Sequence, residues 1–254
     1  MSHNTFVGGY TQYLTRVQGM PKKTVDDLKR MTDDYVWAKD GERKSNTIAM
    51  STLHKAKDEG GLGLLDIESR NEAIDIKRLQ TLHLHPDEQP AWCKIAYRQL
   101  AKAAVKKFTN VGEAALVSPF LQTWRVNLSS TELPENLKRM MRVAYKYHTR
   151  LVTINPTKET KEAMPIWYHI GAKKKLVSIY GDSWGDCQRE VHNIKTTGEM
   201  VLHTSKLEAQ GCSLRKNCKC NNCKTDRAQG CENPTMCRRN GLKKMMNIIP
   251  EWDP

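Results

Sequence analysis

Residues 212–237 read CSLRKNCKCNNCKTDRAQGCENPTMC. Six of the eight cysteines of the chain fall inside this stretch: Cys212, Cys218, Cys220, Cys223, Cys231 and Cys237. Free thiols behave as small hydrophobes and normally scatter through a core. These sit among Lys, Arg, Asn and Asp, with almost no apolar residue between them. A segment that polar cannot bury enough surface to order itself. A covalent or coordinative bond must therefore hold it.

Zinc and disulfides are the two candidates. Cys220-x2-Cys223 followed by Cys231-x5-Cys237 can supply four thiolates to one tetrahedral ion. Gly230 and Pro234 stand where tight turns would wrap the chain around it. Disulfides need an oxidising compartment. The opening MSHNTFVGGY has no basic region followed by an apolar run, so no secretory leader is visible. Zinc is the preferred reading, with Cys220, Cys223, Cys231 and Cys237 as ligands of one structural ion. Cys218 is the substitute, because Cys218-x-Cys220 is tight for two ligands of one ion. The expected location is intracellular, nuclear or cytoplasmic, and not secreted.

The cysteines are set among cations: Arg215, Lys216, Lys219, Lys224, Arg227, Arg238, Arg239, Lys243 and Lys244, against Asp226 and Glu232. The whole chain of 254 residues carries a formal net charge of +13. Both features suit a phosphate backbone, where bound cations release condensed counterions. The expected partner is RNA or DNA, bound largely without sequence preference. The alternative is that zinc only orders a surface for another protein. No apolar run approaches the roughly 20 residues that a membrane-spanning helix requires, so no membrane partner is expected.

Outward from the cysteines, the pattern is helical. Val25, Leu28, Met31 and Tyr35 recur at helical spacing, and Asp33-Asp34 reads as a solvated helical turn, not as a metal-binding acidic pair. Thr47 to Leu53 reads as a short extended segment. Gly60-Gly61-Leu62-Gly63 lacks the spacing of a phosphate-binding loop and reads as a turn into a helix. Ser69 and Glu72 match a capping box, with Ala73, Ile76, Leu79 and Leu82 as the buried face. Trp92, Ile95, Ala96 and Leu100 mark another amphipathic helix. Pro134 opens the next, with Leu137, Met140, Met141 and Ala144 on one side.

Residues 155–164 form a polar linker, the expected boundary between a helical part (1–152) and a basic, Cys-rich part (165–254) with a short α/β segment at its start. The aromatic packet 165–171 contains Trp167 and Tyr168, which could pack or could stack on bases. Ile179 to Gly185 reads as a turn. Cys187, His192 and His203 read as isolated residues. His83 and His85 read as a helix end. The expected fold class is mainly α, ending in a small, irregular, zinc-stapled module.

Four runs together resemble one family. They are GMPKKTVDDLKRMTDDYVW (19–37), GGLGLLDIESRNEAIDIKRL (60–79), MPIWYHIGA (164–172) and CKCNNCKTDRAQGCENPTMCRRNGLKKMMNIIPEWDP (218–254). Their sequence and order resemble the region after the reverse-transcriptase palm of LINE-like, fungal-type non-LTR retrotransposon polyproteins, leading toward RNase H. The first two runs resemble the thumb-like and linker segments. The resemblance implies a non-catalytic remnant that helps hold RNA or target DNA, with other polypeptides of the retroelement as further partners. No aromatic-x-Asp-Asp palm motif, endonuclease or RNase H motif is present in the chain, so no enzyme activity is expected.

Overall fold

Apolar residues at helical spacing dictate helices, and the protein is mainly helical. The computed structural model describes residues 2–39, 42–43, 48–85, 87–149, 156–173 and 182–254. The helices are α1 (Ser2–Gln18), α2 (Lys22–Trp37), α3 (Met50–Leu53), α4 (Ile67–Gln80), α5 (Ala91–Lys102), α6 (Glu135–Lys146), α7 (Lys158–Ala163), α8 (Ser183–Glu190), α9 (Thr197–Ser205), α10 (Asn221–Ala228) and α11 (Pro234–Met245). A two-residue hairpin, β1 (Ala38–Lys39) with β2 (Glu42–Arg43), is the only sheet among the described residues.

The chain forms two units. The first takes residues 1–93 and 134–149, and the second takes 94–133 and 150–254. In the first, α4 packs on α1, α2 and α6. Leu79, Leu82, Leu137, Met140 and Met141 are buried there. Asp75, buried on α4, accepts two hydrogen bonds from Arg139 of α6, at 2.6 and 3.0 Å. The Gly60–Gly63 run is a turn, as its composition suggests. Gly61 and Gly63 donate their amides to the carbonyls of Ala56 and Lys55, and a Cβ on Gly61 would lie 2.0 Å from the Lys55 carbonyl oxygen.

Three local expectations are corrected. The end of the segment read as extended, Met50–Leu53, is the helix α3; Thr47 lies outside the described residues. The capping box at Ser69 and Glu72 does not form. Asp66 is the N-cap of α4 and accepts from the Glu68 amide, and the Ser69 hydroxyl donates to the same carboxylate. An earlier cap was available, so Ser69 sits inside the helix. Within the segment read as a turn up to Gly185, Ser183 already begins α8, with Asp182 as its N-cap.

The division also differs from a boundary at residue 152, because residues 94–133 join the second unit. Gln122 explains this. Its buried amide oxygen accepts from the Val117 and Ser118 amides and the Trp124 indole, at 2.7, 3.0 and 2.8 Å. Its amide nitrogen donates to the Ala115 carbonyl at 2.8 Å and the Trp167 carbonyl at 2.6 Å. The loop 115–124 is thereby tied to the aromatic packet, where Trp124, Ile166, Trp167 and Tyr168 form the core with Met200 and Ile248. No helix of the described residues is long and apolar enough to cross a membrane.

Candidate metal centres and the basic surface

Four short helices and their caps bring the ligands together. α8 carries Cys187, and the chain turns just beyond it so that the His192 amide donates to the Cys187 carbonyl. α9 begins at a complete capping box of Thr196 and Glu199 and carries His203. Cys220 is the N-cap of α10, which carries Cys223 and Asp226. Asn233 caps α11, with Pro234 in its first turn, ahead of Cys237 and Arg238.

Two tetrads result, each positioned to hold a metal ion. Cys212, Cys218, Cys220 and Cys223 form one; Cys187, His192, Cys231 and Cys237 form the other. Within each, the ligand atoms all lie within 4.8 Å of one another. The sulfurs of Cys212 and Cys218 are 3.8 Å apart, as are those of Cys187 and Cys237. A tetrahedral ion with metal–sulfur bonds of about 2.3 Å places its sulfurs about 3.8 Å apart. A disulfide would bring them to about 2.05 Å.

The single set Cys220, Cys223, Cys231 and Cys237 is therefore corrected, because these four are divided between two groups. Cys218 is no substitute but a member beside Cys220. No helix intervenes between them, and residues two apart on an extended chain share a face. Cys187 and His192, which read as isolated, complete the second group. The signal that would have found them is Cys187-x4-His192, a ligand pair with its partners far along the chain. Cys93, the eighth cysteine, lies in neither group and is buried in the first unit.

The electrostatics of the thiols favour a cation. The Cys231 thiol, bonded by Cys237, is held down at about 4 against the cost of burial. Cys237 is pushed far up by the same neighbour and by burial, and burial together with Cys231 pushes Cys187 up to about 12. In the first group, contacts with Cys220 and Ser213 hold Cys218 down at about 5, while burial and the neighbouring cysteines push Cys223 up to about 12. Thiols this crowded cannot all ionise together. A divalent ion reverses that, since coordinated thiols lose their protons outright. The buried Nε2 of His192 has no hydrogen-bond partner, as a ligand nitrogen would not.

Further side chains support the ligands, as metal sites generally require. His203 Nε2 lies 3.6 Å from the Cys237 sulfur, and its ring packs 4.3 Å from that of His192. Burial, with His192 and Arg238 nearby, holds His203 down at about 3, so its ring is neutral. His192, His203 and Asp226 also lie within mutual reach of one ion, sharing His192 with the second tetrad. Gln188 donates to the Cys237 carbonyl at 2.8 Å and accepts from Lys244 at 2.9 Å, which locks α11 to α8.

The expected nucleic-acid contacts divide by burial. Trp167 is 1% exposed and Tyr168 0%, so neither can stack on a base. The Trp167 indole donates to the Ile194 carbonyl at 2.7 Å, and Tyr168 packs edge-on against Phe108. Arg238 is 0% exposed and Lys244 2%; Arg238 is engaged with Cys223 and Asp226 and Lys244 with Gln188 and Asp182, so neither can reach a phosphate. Arg227 is half-buried, and its guanidinium donates to the carbonyls of Lys216 and Cys218. Arg215, Lys216, Lys219, Lys224, Arg239 and Lys243 are exposed. Three of them, Arg215, Lys216 and Lys219, line an open cleft of about 1020 Å³ beside the first tetrad. The rest of its lining includes Gln210, Ser213 and Asn222, and no carboxylate.

No known protein family matches the chain, and neither a curated protein nor a solved structure does.

Proposed function

We propose that the second unit is a non-catalytic, zinc-ordered module that holds RNA or DNA by its phosphate backbone. The observation that carries this reading is the cleft beside the first tetrad, lined by three cations and no acid. Zinc suits both donor sets: four thiolates in one, three thiolates and an imidazole in the other. With every position taken by a protein ligand, a structural zinc has no place for a reacting water. The cleft lining contains amide and hydroxyl side chains but no aromatic ring, which favours backbone contact over base stacking. The resemblance to a retrotransposon linker agrees with such a role in the vicinity of a polymerase, as a remnant of a longer polyprotein.

Binding to a random-sequence duplex, measured across salt concentrations, tests it. If the three cleft cations each meet a phosphate, they contribute about 2.7 to the slope of log affinity against log salt. The triple substitution R215E/K216E/K219E should abolish that share and weaken binding by well over tenfold at low salt. Affinity independent of salt, or unchanged in the triple variant, would refute the assignment of the cleft. A surface that instead captures a protein partner would show no duplex binding at any salt.

A further inference from the structure

The two tetrads meet at one buried side chain. Arg238 follows Cys237 directly in α11, yet its Nη1 donates to the sulfur of Cys223, a member of the other tetrad, at 3.4 Å. Its Nη2 donates to Asp226 on α10. Its Nε is buried and has no acceptor. Asp226 lies within reach of His192 and His203, and its carbonyl accepts from the Cys231 amide at 3.0 Å. Each neighbour of the guanidinium is thus a ligand of one site or adjoins a ligand of the other.

We propose that Arg238 couples the two metal sites, so that an ion in either raises the affinity of the other. This rests on the reading of both tetrads as metal sites. Four thiolates around a divalent ion leave an excess of negative charge in a buried place. A guanidinium binds a thiolate more strongly than a thiol, because the hydrogen bond is then charge-assisted. An ion at the second site fixes Cys237, and with it the turn of α11 that sets Arg238 against Cys223. An ion at the first site fixes the Cys223 sulfur, which holds Arg238 and therefore that same turn. Linkage makes the two effects equal. Arg238 is a positioning residue: it touches a ligand, not the ion.

Anaerobic cobalt(II) titration of the full chain tests this, since four-sulfur and three-sulfur-one-nitrogen cobalt sites absorb differently. Disabling the second site with Cys187→Ser should weaken cobalt binding at the first by about 10–100-fold, the usual effect of an outer-shell partner. In Arg238→Met the first site should begin weak, and adding Cys187→Ser should change it no further. Arg238→Lys keeps the charge but cannot serve both Cys223 and Asp226, so part of the coupling should survive. Two results would overturn the proposal: first-site affinity unchanged by Cys187→Ser, or the same loss in the Arg238→Met background. An arginine that merely supports the fold would weaken both sites and leave the loss from Cys187→Ser intact. If Arg238→Met does not fold, Arg238→Lys decides alone, and full coupling in it refutes the proposal. Failure of the unmodified chain to bind cobalt at all would overturn the metal reading, and this proposal with it.

Discussion

The five hydrogen bonds of Gln122 leave its amide fully satisfied in a buried position. Removing it strands several buried groups at once, and each such group costs about 1–3 kcal/mol. Gln122→Leu should therefore destabilise the second unit by about 4 kcal/mol, read as a lower midpoint in urea unfolding followed by Trp fluorescence. A loss under about 1 kcal/mol would mean that water reaches these groups. Nothing in the sequence marks this residue, because a glutamine in a polar connection looks like surface. Arg238 and Lys244 misled in the same way. Counted among cations they look like a phosphate site, and only the fold puts them inside, against Cys223 and Gln188. Cys187 and His192 read as isolated, because their partners Cys231 and Cys237 lie far along the chain and come close only through the packing of α11 on α8. Single residues carry little trace of contacts made far along the chain.

Helices were more legible, because period and caps are local. The apolar stripe of α6 stands in the sequence where the structure has it; on α4 and α5 Leu79, Ala96 and Leu100 are buried as the spacing suggests, but Ala73 and Ile95 face outward. The short helices that carry the cysteine groups were harder to read. The true capping box is Thr196 with Glu199, while the similar pair Ser69 and Glu72 lost its role to Asp66, three residues earlier. Gly241 records how closely α11 meets its neighbours. A Cβ there would lie 2.7 Å from the Met200 sulfur, 3.0 Å from a Thr204 methyl and 3.1 Å from Gln188 Nε2. In an open helix, Gly→Ala gains up to about 1 kcal/mol. Here Met200 is fully buried, and Gln188 is committed to the Cys237 carbonyl, so neither gives way easily. Overpacking costs about 1–3 kcal/mol and sets the sign. Gly241→Ala should lower the thermal midpoint and also weaken metal binding at the tetrad of Cys187, His192, Cys231 and Cys237. A raised midpoint would show that Met200 can repack.

At the scale of the whole chain, burial shows how little besides the cysteine groups holds residues 206–233 together. From residue 206 to 233 only Cys218, Cys223, Asp226 and Cys231 are buried; three of the four are proposed ligands and the fourth pairs with Arg238. That segment has no hydrophobic core of its own, which is why its composition already demanded a staple. The rest of the second unit has one, around Trp124, Trp167 and Met200, and the first unit has another, around Leu79, Met140 and Met141. Stability should therefore divide along the chain in the way local unfolding units do. Under reducing conditions, a strong chelator should raise amide hydrogen exchange throughout residues 206–233, including α10, whose hydrogen bonds are then held by almost no apolar contact. The amides of α4 and α6 should keep their protection, because neither tetrad has a member in that unit. Metal-dependent folding normally makes binding free energy and folding free energy the same quantity; here that identity should hold for one segment and not for the molecule. Loss of protection in both units would mean that the metals support the whole fold. Unchanged exchange across 206–233 would mean that hydrogen bonds such as those of Arg227 to the 216–218 loop order the segment without an ion.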